Sequence, residues 1–335
     1  MKAFIINKYT KRALEIADVP TPVVGNNDVL IEVYSAGVNL LDSKVKKGEF
    51  KLILPYKLPM ILGHDVAGII TEVGKNVKKF KVGDKVYSRP ADYHVGTFAE
   101  YIAINEKDVA FKPKNISMNE AASIPLVALT AWQALVERVD LKKGQKVFIQ
   151  AGSGGVGTVA IQLAKYLGAL VATTASDKSF EFLKNLGADV LIDYKTHDFE
   201  HILKDYDVVV NSQDQKTLEK SLNILKPDGK IISISGPPTH EFAKEMGLPW
   251  YIRMITTLLS FSTRSKAEKK QVKFSFLFMR AEGSQLQEIT NLIEAEVIKP
   301  VVDKVFVFEQ TNDALQYVES GRAKGKVVIQ IKSEK

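Results

Sequence analysis

The chain of 335 residues contains no cysteine. This absence excludes disulfide bonds and every metal site that is built on thiolates. No stretch approaches the roughly 20 consecutive apolar residues that a membrane-spanning helix needs. The apolar run at residues 3–6 is also too short for a secretory signal peptide. We therefore expect a cytoplasmic protein with no membrane partner.

Long blocks of one charge sign are missing as well. The 46 Lys and Arg residues are scattered among 39 Asp and Glu residues, and the net charge is +7. A hydrophobic content of 45% and a charged content of 25% are those of an ordinary globular protein. The length suits about two domains. The surface should mildly favour anionic ligands, and we expect no nucleic-acid partner.

The most informative pattern that is present is the glycine-rich segment at residues 148–157, FIQAGSGGVG. An apolar strand runs into Gly152-x-Gly154-x-x-Gly157, and an apolar helical pattern follows. Gly152 allows a tight turn, Gly154 lets a pyrophosphate approach the backbone, and Gly157 lets helix and strand pack closely. The helix N-terminus presents N–H groups and a positive dipole end to phosphates. Between a strand and a helix, this motif predicts a dinucleotide site.

Hydrophobic periodicity divides the chain into two kinds of structure. Short strands at 29–34, 65–73 and 98–104, separated by Gly and Pro turns, predict a partly open β-barrel. After about residue 117, helices alternate with strands, which predicts a parallel, doubly wound sheet with right-handed crossovers. The predicted strands there are 146–150, 169–174, 190–192, 207–210 and 230–234, and the predicted helices are 156–167, 178–186, 217–225, 284–295 and 311–319.

These patterns predict three segments. A catalytic domain begins at 1–120, a dinucleotide domain is inserted at 121–260, and the chain returns to the catalytic domain at 261–335. Residues 239–272 fit neither pattern, because an apolar helical run at 250–259 is followed by a polar stretch at 265–270. This segment predicts a core or interface helix, or a lid over the active site.

Several phrases in order resemble the medium-chain dehydrogenase/reductase superfamily over essentially the whole chain. They are AGVNLLD at 36–42, GHDVAG at 63–68, GDKVY at 83–87, ALTAW at 128–132, the Gly152 loop, LGAD at 186–189 and GKVV at 325–328. The branch it most resembles is the zinc-independent quinone oxidoreductases, and Asn39-x-x-Asp42-x-Lys44 is similar to the alkenal and enone oxidoreductases. The resemblance implies an α/β fold, with a GroES-like partly open β-barrel as the catalytic domain, a Rossmann doubly wound parallel sheet, and NADPH in the cleft.

The zinc alcohol dehydrogenases of this superfamily place a cysteine where this chain has Asn39, and His64 occupies their histidine position. Because no cysteine is present, a lone His64 cannot complete the three-ligand catalytic site that zinc needs. We expect no metal, and we interpret His64 as a core histidine or one that supports other site residues.

The choice between NADPH and NADH depends on the residue that ends the second strand of the dinucleotide domain. Counting back from the LGA at 186–188 places Thr174 there, which lacks the carboxylate that binds the ribose of NAD. Donors that suit a 2′-phosphate follow at Ser176, Lys178 and Tyr194. The family's NADP lysine falls on Ser179, which leaves the role of Lys178 open. Asp177 keeps NAD as the alternative, although NADPH is favoured.

The resemblance also implies roles for individual residues. Asn39, Asp42 and Lys44 would lie by the nicotinamide and ribose, with Asn39 and Lys44 as catalytic residues. The other residues that would bind the cofactor are Thr130, Gly152, Gly154, Gly155, Val156, Gly157, Ser176, Lys178, Tyr194, Gly236, Phe276, Phe278 and Lys326. Phe276 and Phe278 would reach the nicotinamide from the returning catalytic domain. The expected reaction is hydride delivery to a small electrophile (an enone, an enal or a quinone), with the proton coming from water or from Lys44.

Two other functions stay open. Trans-enoyl thioester reductases use a tyrosine as acid at a place that falls on Phe50 here, and Tyr56 is the nearest substitute. A non-catalytic NADPH-binding redox sensor is the other alternative, because VNSQD at 210–214 replaces the usual glycine-containing turn. The resemblance is compatible with a homodimer and with a monomer.

Overall fold

The computed structural model describes residues 1–334. They form two compact units, one of Met1–Leu129 together with the chain from Arg280 onward, and one of Thr130–Met279. We call them the barrel unit and the parallel-sheet unit. The divisions lie later in the chain than the predicted 120/121 and 260/261, because residues 118–122 pack on barrel strands and residues 273–276 form a strand of the parallel sheet.

The described residues contain sixteen strands. They are β1 Lys2–Ile6, β2 Glu15–Asp18, β3 Asp28–Val38, β4 Met60–Ile61, β5 Asp65–Val73, β6 Lys85–Ser88, β7 Tyr101–Asn105, β8 Val109–Phe111, β9 Lys146–Ile149, β10 Leu170–Ala175, β11 Val190–Asp193, β12 Tyr206–Asn211, β13 Leu225–Ser233, β14 Lys273–Phe276, β15 Val302–Val307 and β16 Lys326–Gln330.

Eleven α-helices accompany these strands in residues 1–334. They are α1 Leu40–Lys46, α2 Met118–Ala122, α3 Pro125–Trp132, α4 Gly155–Tyr166, α5 Phe180–Asn185, α6 Phe199–Ile202, α7 Gln215–Ser221, α8 His240–Glu245, α9 Trp250–Lys269, α10 Gly283–Glu294 and α11 Thr311–Glu319. Pro125 begins α3, since a proline at the first helical position loses no hydrogen bond. None of these helices has the length and apolar character to cross a membrane.

The barrel unit is built around β3, the longest strand. Its main sheet has the order β15-β16-β3-β5-β6-β8, and β7 also pairs with β3. A second sheet has the order β2-β1-β4. The register of β3 against β5 shifts between Leu30 and Ile31 and again between Val33 and Ser35, and such irregularities let a strand bend around a core. The partly open GroES-like barrel predicted from the sequence is confirmed.

The parallel-sheet unit has six strands in the order β11-β10-β9-β12-β13-β14, and all neighbouring pairs are parallel. Phe148 and Val209 are fully buried at its centre, as expected for strands covered on both faces. From β9 the chain adds β10 and β11 on one side of the sheet, and it then adds β12, β13 and β14 on the other side, so the strand order reverses between β9 and β12. Ligands of such sheets bind beyond the carboxyl ends of the strands at this reversal.

Candidate active site

The glycine-rich segment forms a tight loop between β9 and α4. The Gly152 N–H donates to the Thr174 carbonyl at 3.0 Å. A Cβ atom at Gly152 would lie 2.3 Å from Thr173 Oγ1, and one at Gly157 would lie 2.5 Å from the Ala151 carbonyl oxygen. Neither distance is tolerable, so both positions require glycine for the close packing that the motif predicts.

The third glycine faces a more open space. A Cβ atom at Gly154 would approach only the Ala151 carbonyl oxygen, at 3.3 Å. Gly154 is also the N-cap of α4 and has no side chain to cap it. The backbone N–H groups of the first turn, at Gly155, Val156 and Gly157, are therefore not capped by a side chain of the N-cap residue. This arrangement suits a phosphate group, because the helix dipole and the N–H groups both favour an anion there.

The end of the second strand differs from the prediction by one residue. β10 continues to Ala175, and Thr174 is not its last residue. The Thr174 hydroxyl accepts a hydrogen bond from the Ala151 N–H at 3.2 Å, so this side chain supports the glycine loop. The count back from Gly187 failed because the turn between α5 and β11 does not fix where β10 ends. We therefore expect the position that selects between ribose and ribose phosphate at or beyond Ala175.

The three predicted phosphate donors follow the carboxyl ends of β10 and β11. Ser176 comes directly after β10, and the Tyr194 N–H donates to the Ala175 carbonyl at 3.4 Å. Lys178 and Tyr194 are exposed, whereas Ser179 is buried. A cation at position 178 is thus available to a ligand, and a side chain at position 179 points into the protein.

A hydrogen-bonded set at the carboxyl ends of β12 and β13 was not predicted. Asn211 Nδ2 donates to Ser233 Oγ at 3.0 Å and to Ser235 Oγ at 3.1 Å, while Asn211 Oδ1 is buried and has no partner among residues 1–334. The Ser212 N–H donates to Gln150 Oε1 at 3.2 Å, which joins the ends of β9 and β12 where the strand order reverses. The only sequence signal was the replacement of a glycine-containing turn by residues 210–214.

Gly236 and the two phenylalanines also lie in the parallel-sheet unit. Gly236 has a φ of 113°, which favours glycine, and its carbonyl accepts from Ser233 Oγ at 2.5 Å. Phe276 ends β14 and meets Phe242 edge to face, with ring centroids 4.9 Å apart. The prediction that Phe276 and Phe278 belong to the returning catalytic domain is wrong, since β14 pairs with β13 as the last strand of the parallel sheet.

Strand register assembles a second polar cluster, inside the barrel unit. Gly37 is paired with Asp65 across β3 and β5, and Val38 is paired with Val327 across β3 and β16. Asn39, which follows β3 directly, is therefore brought next to Asp65 and Lys326, the first residues of the two neighbouring strands. These three side chains are distant in sequence, and all three are at most 6% exposed.

The cluster is a closed set of charge-assisted hydrogen bonds. Lys326 Nζ lies 2.9 Å from Asp65 Oδ2 and 2.5 Å from Asn39 Oδ1. Asn39 Nδ2 donates to the same Asp65 oxygen at 2.9 Å, and the Leu126 N–H donates to Asp65 Oδ1 at 2.7 Å. The orientation of the Asn39 amide is fixed by these contacts, because its oxygen faces a cation and its nitrogen faces a carboxylate.

Asp42 extends this set to His64. Asp42 Oδ2 accepts from the Asn39 N–H at 2.7 Å, and Asp42 Oδ1 lies 2.5 Å from His64 Nδ1. A carboxylate accepts only, so we assign the proton to Nδ1. His64 is fully buried, and its Nε2 has no partner within residues 1–334. Asp42 thus holds Asn39 and His64 in place, and both of its oxygens are occupied.

The remaining predicted residues are less tightly placed. Lys44 is half-buried on α1 and takes no part in the cluster around Asn39. Thr130 is buried within α3. Tyr56 Oη is buried without a partner in the described chain, and burial, helped by nearby Asp92, raises the pKa of its phenol well above the usual range. Phe50 is half-buried in the turn after α1.

Residues 1–334 contain no group of three or more His, Asp and Glu side chains that could hold a metal ion. His64 faces a single carboxylate, Asp42. The donor set that the structure offers here is therefore smaller than the three protein ligands of a catalytic zinc site.

Comparison with known sequences gives two family matches. Residues 25–114 match the family described as alcohol dehydrogenase GroES-like domain, and residues 186–329 match the family described as zinc-binding dehydrogenase. The first match covers most of the strands of the barrel unit. The second begins at the end of α5 and runs into β16.

Individual proteins resemble the chain over nearly its full length. It is 35% identical to the 2-methylene-furan-3-one reductase of Solanum lycopersicum, over 93% of this chain and 74% of that protein. It is 33% identical to the chloroplastic NADPH-dependent alkenal/one oxidoreductase of Arabidopsis thaliana, over 98% and 79%. Among solved structures, the quinone oxidoreductase of Coxiella burnetii superposes with a TM-score of 0.87 at 30% identity, covering 99% of both chains.

Proposed function

Because this chain belongs to the medium-chain dehydrogenase/reductase superfamily, we propose that it is a zinc-free, NADPH-dependent reductase of small electrophiles. Its acceptors are enones and enals, reduced at the β-carbon, or quinones. The observation that carries the proposal is the glycine loop at the sheet reversal, together with the donors after β10 and β11. The similar reductases of alkenals, furanones and quinones support the acceptor class.

The residues fit the cofactor in two places. The uncapped first turn of α4 suits the pyrophosphate, since Gly154 leaves room for it. Ser176, Lys178 and Tyr194 suit the 2′-phosphate, and no carboxylate ends β10 to repel it. When bound, NADPH supplies the hydride. The chain's own residues orient the acceptor, exclude water and stabilise the charge that develops on its oxygen.

The barrel unit carries a rigid polar cluster of its own, around Asn39. Lys326 and Asp65 fix the Asn39 amide, and Asp42 fixes the turn from which α1 begins. A side chain held by several buried hydrogen bonds loses little entropy when a ligand binds, which favours precise orientation. Lys44, half-buried on the same helix, is the candidate proton donor to the reduced acceptor, with water as the alternative.

The proposal excludes zinc on chemical grounds. The chain lacks thiolates, and His64 belongs to no group of three or more His, Asp and Glu side chains among residues 1–334 that could hold a metal ion. Two ligand types that zinc prefers are thereby absent or incomplete. Metal analysis of the purified protein by mass spectrometry tests this point, because a stoichiometric zinc content would contradict it.

The experiment that tests the function is the initial rate of NADPH and of NADH oxidation at 340 nm with five acceptors. These are an α,β-unsaturated ketone, an enal, a benzoquinone, a naphthoquinone and a crotonyl thioester. We expect NADPH-dependent turnover of the ketone, the enal or the quinones. Turnover of the thioester alone would favour the enoyl reductase function, for which the buried hydroxyl of Tyr56 is the candidate acid. NADPH binding by fluorescence without any turnover would favour a redox sensor.

A further inference from the structure

Helix α9 has its polarity reversed relative to an ordinary surface helix. The residues that it buries against its own unit are small or carry hydroxyl groups, and only one is a large apolar residue. They are Ile252, Thr256, Ser260, Thr263 and Ala267. Two hydroxyls on this side bond to the helix itself, since Thr256 Oγ1 donates to the Arg253 carbonyl at 2.9 Å and Ser260 Oγ donates to the Thr256 carbonyl at 2.8 Å. The third, Thr263 Oγ1, accepts from Gln215 Nε2 at 2.9 Å. The inward face is thus satisfied without bulky apolar packing.

The outward face of α9 carries the large apolar side chains. Their exposed fractions run from 43% at Ile255 to 72% at Leu258. We call this set the apolar face, and it consists of Trp250, Tyr251, Met254, Ile255, Leu258, Leu259 and Phe261. Globular proteins turn the apolar stripe of a surface helix toward the core, so this orientation needs a partner that covers it.

The area of the apolar face matches one side of a stable protein interface. Each side chain of the apolar face has a surface area of roughly 150–250 Å², and the exposed parts of these side chains sum to on the order of 800 Å². Single-patch apolar surfaces on monomers are about 300–600 Å². A standard interface buries about 800 Å² on each partner. Tryptophan, tyrosine, phenylalanine and methionine, which supply much of this face, are the residue types enriched at interface cores.

The spacing within the apolar face points to another helix. Tyr251, Met254, Leu258 and Phe261 follow one another at intervals of three, four and three residues. This alternation is the seam pattern of paired helices. The pattern is symmetric about residue 256, so the same four side chains can face themselves in reverse order.

Charge argues against a lipid surface as the occupant. A membrane-bound helix carries free basic side chains on the polar face that borders its apolar face, where they meet anionic headgroups. Of the four basic residues of α9, three are engaged by their own chain. Arg253 and Arg264 donate to nearby backbone carbonyls, and Lys266 lies 2.7 Å from Glu219. The fourth, Lys269, lies at the last turn, away from the apolar face.

We propose that the apolar face of α9 is covered by α9 of a second copy of this chain, packed antiparallel about a two-fold axis. An isologous contact uses the same patch on both copies. The symmetric seam places Tyr251 opposite Phe261 of the other copy, and Met254 opposite its Leu258. The antiparallel arrangement also keeps the two Lys269 ends apart. This inference is independent of the reaction and of the cofactor.

The first test is the oligomeric state of the full chain by light scattering and by sedimentation, over a wide range of protein concentration. Leu258→Glu puts a charge in the seam, and Val23→Glu is the matched control, because Val23 is 92% exposed in the barrel unit. We expect dimers for the wild type and for Val23→Glu, and monomers for Leu258→Glu with unchanged circular dichroism. A monomeric wild type, or a Leu258→Glu variant that stays dimeric, would overturn the proposal.

The second test determines which residues of the two α9 helices lie opposite each other. Because the chain has no native cysteine, single cysteines can be introduced as cross-linking sites. Disulfides form only when Cα atoms are about 4.4–6.8 Å apart. A mixture of Met254→Cys and Leu258→Cys proteins should therefore cross-link faster than either variant alone. Equal cross-linking in all three samples would contradict the antiparallel seam. The lipid alternative is tested by sedimenting the protein with phosphatidylglycerol vesicles. If the wild type is a monomer that sediments with the vesicles, and Leu258→Glu no longer does so, the apolar face binds lipid and the proposal of a second copy is refuted.

Discussion

The replacement of Lys326 by methionine is the most direct test of the buried cluster in the barrel unit. Lys326 is 5% exposed, and its ammonium bonds to Asp65, Asn39 and the Val38 carbonyl. Methionine keeps most of the aliphatic stem and removes the charge. Asp65, which is fully buried, would then keep only the Leu126 N–H and the Asn39 amide as donors.

The magnitude follows from the charge that stays behind. Removing one partner of a buried ion pair costs about 3–5 kcal/mol in the free energy of unfolding. The two remaining donors to Asp65 place the expected loss near the lower end, about 3 kcal/mol. For a unit of this size, each kcal/mol lowers the melting temperature by about 2–4 °C. We therefore expect the melting temperature of Lys326→Met to fall by about 6–12 °C.

The assay is thermal and urea unfolding of the full chain by circular dichroism, with Lys332→Met as the matched control. Lys332 pairs with Glu32 at 2.6 Å, but its side chain is 46% exposed, so its loss should cost less than about 1 kcal/mol. The double variant Lys326→Met/Asp65→Asn should regain part of the stability, because the unpaired charge is gone. The reasoning is refuted if Lys326→Met loses no more stability than Lys332→Met.

Three further predictions concern cofactor choice, catalysis and pH. Ala175→Asp places a carboxylate at the observed end of β10, and it should shift the ratio of kcat/KM for NADPH to that for NADH toward NADH. Thr174→Asp should instead weaken the binding of both cofactors, because it disturbs the glycine loop. Lys44→Ala should lower kcat/KM about tenfold, the scale of one charge-assisted contact; unchanged steady-state kinetics would remove Lys44 from the site. Burial opposes ionisation of Asp207, but hydrogen bonds from Lys226 and the Lys146 N–H outweigh it and lower its pKa. Its stabilisation is therefore present above the unfolded-state pKa and lost as pH falls through the folded-state pKa. Asp207→Asn should lower the melting temperature at neutral pH, with a gap from the wild type that closes in acid, and a pH-independent gap would contradict this.

Local patterns predicted the parts of the site that are local in the structure. The glycine loop needs contacts only between β9, α4 and the neighbouring β10, and each glycine has a steric reason that its spacing already contains. The order of β9, α4 and β10 along the chain was predictable for the same reason. The end of β10 was missed by one residue, because hydrophobic pattern fixes which face a strand buries and not where its last hydrogen bond falls.

The cluster around Asn39 could not be derived from any local pattern. Asn39, Asp65 and Lys326 come together only through the registers of β3 with β5 and with β16. The resemblance to a family named Asn39 and Lys326 without giving their contacts, assigned no role to Asp65, and gave no reason to pair His64 with Asp42. That pairing depends on α1 starting directly at the end of β3, which a capping contact from Asp42 to the Asn39 N–H fixes.

Helix α9 marks a different limit of sequence patterns. Its first three turns are apolar on most sides, so periodicity predicts a helix but cannot say which side faces its own protein. The structure resolves this through the small residues Thr256, Ser260 and Thr263, which let the helix approach the sheet closely and leave the large side chains outside. A helix with small residues on one side and bulky apolar residues on the other therefore indicates that the small side faces its own protein. Burying hydroxyl groups on that side is stable only when each of them finds a hydrogen-bond acceptor. In α9 the hydroxyls of Thr256 and Ser260 bond to backbone carbonyls one turn back, so burying these hydroxyls carries no desolvation penalty. The inward face is therefore stable as it is, and the outward apolar face is the part of the helix that requires a partner.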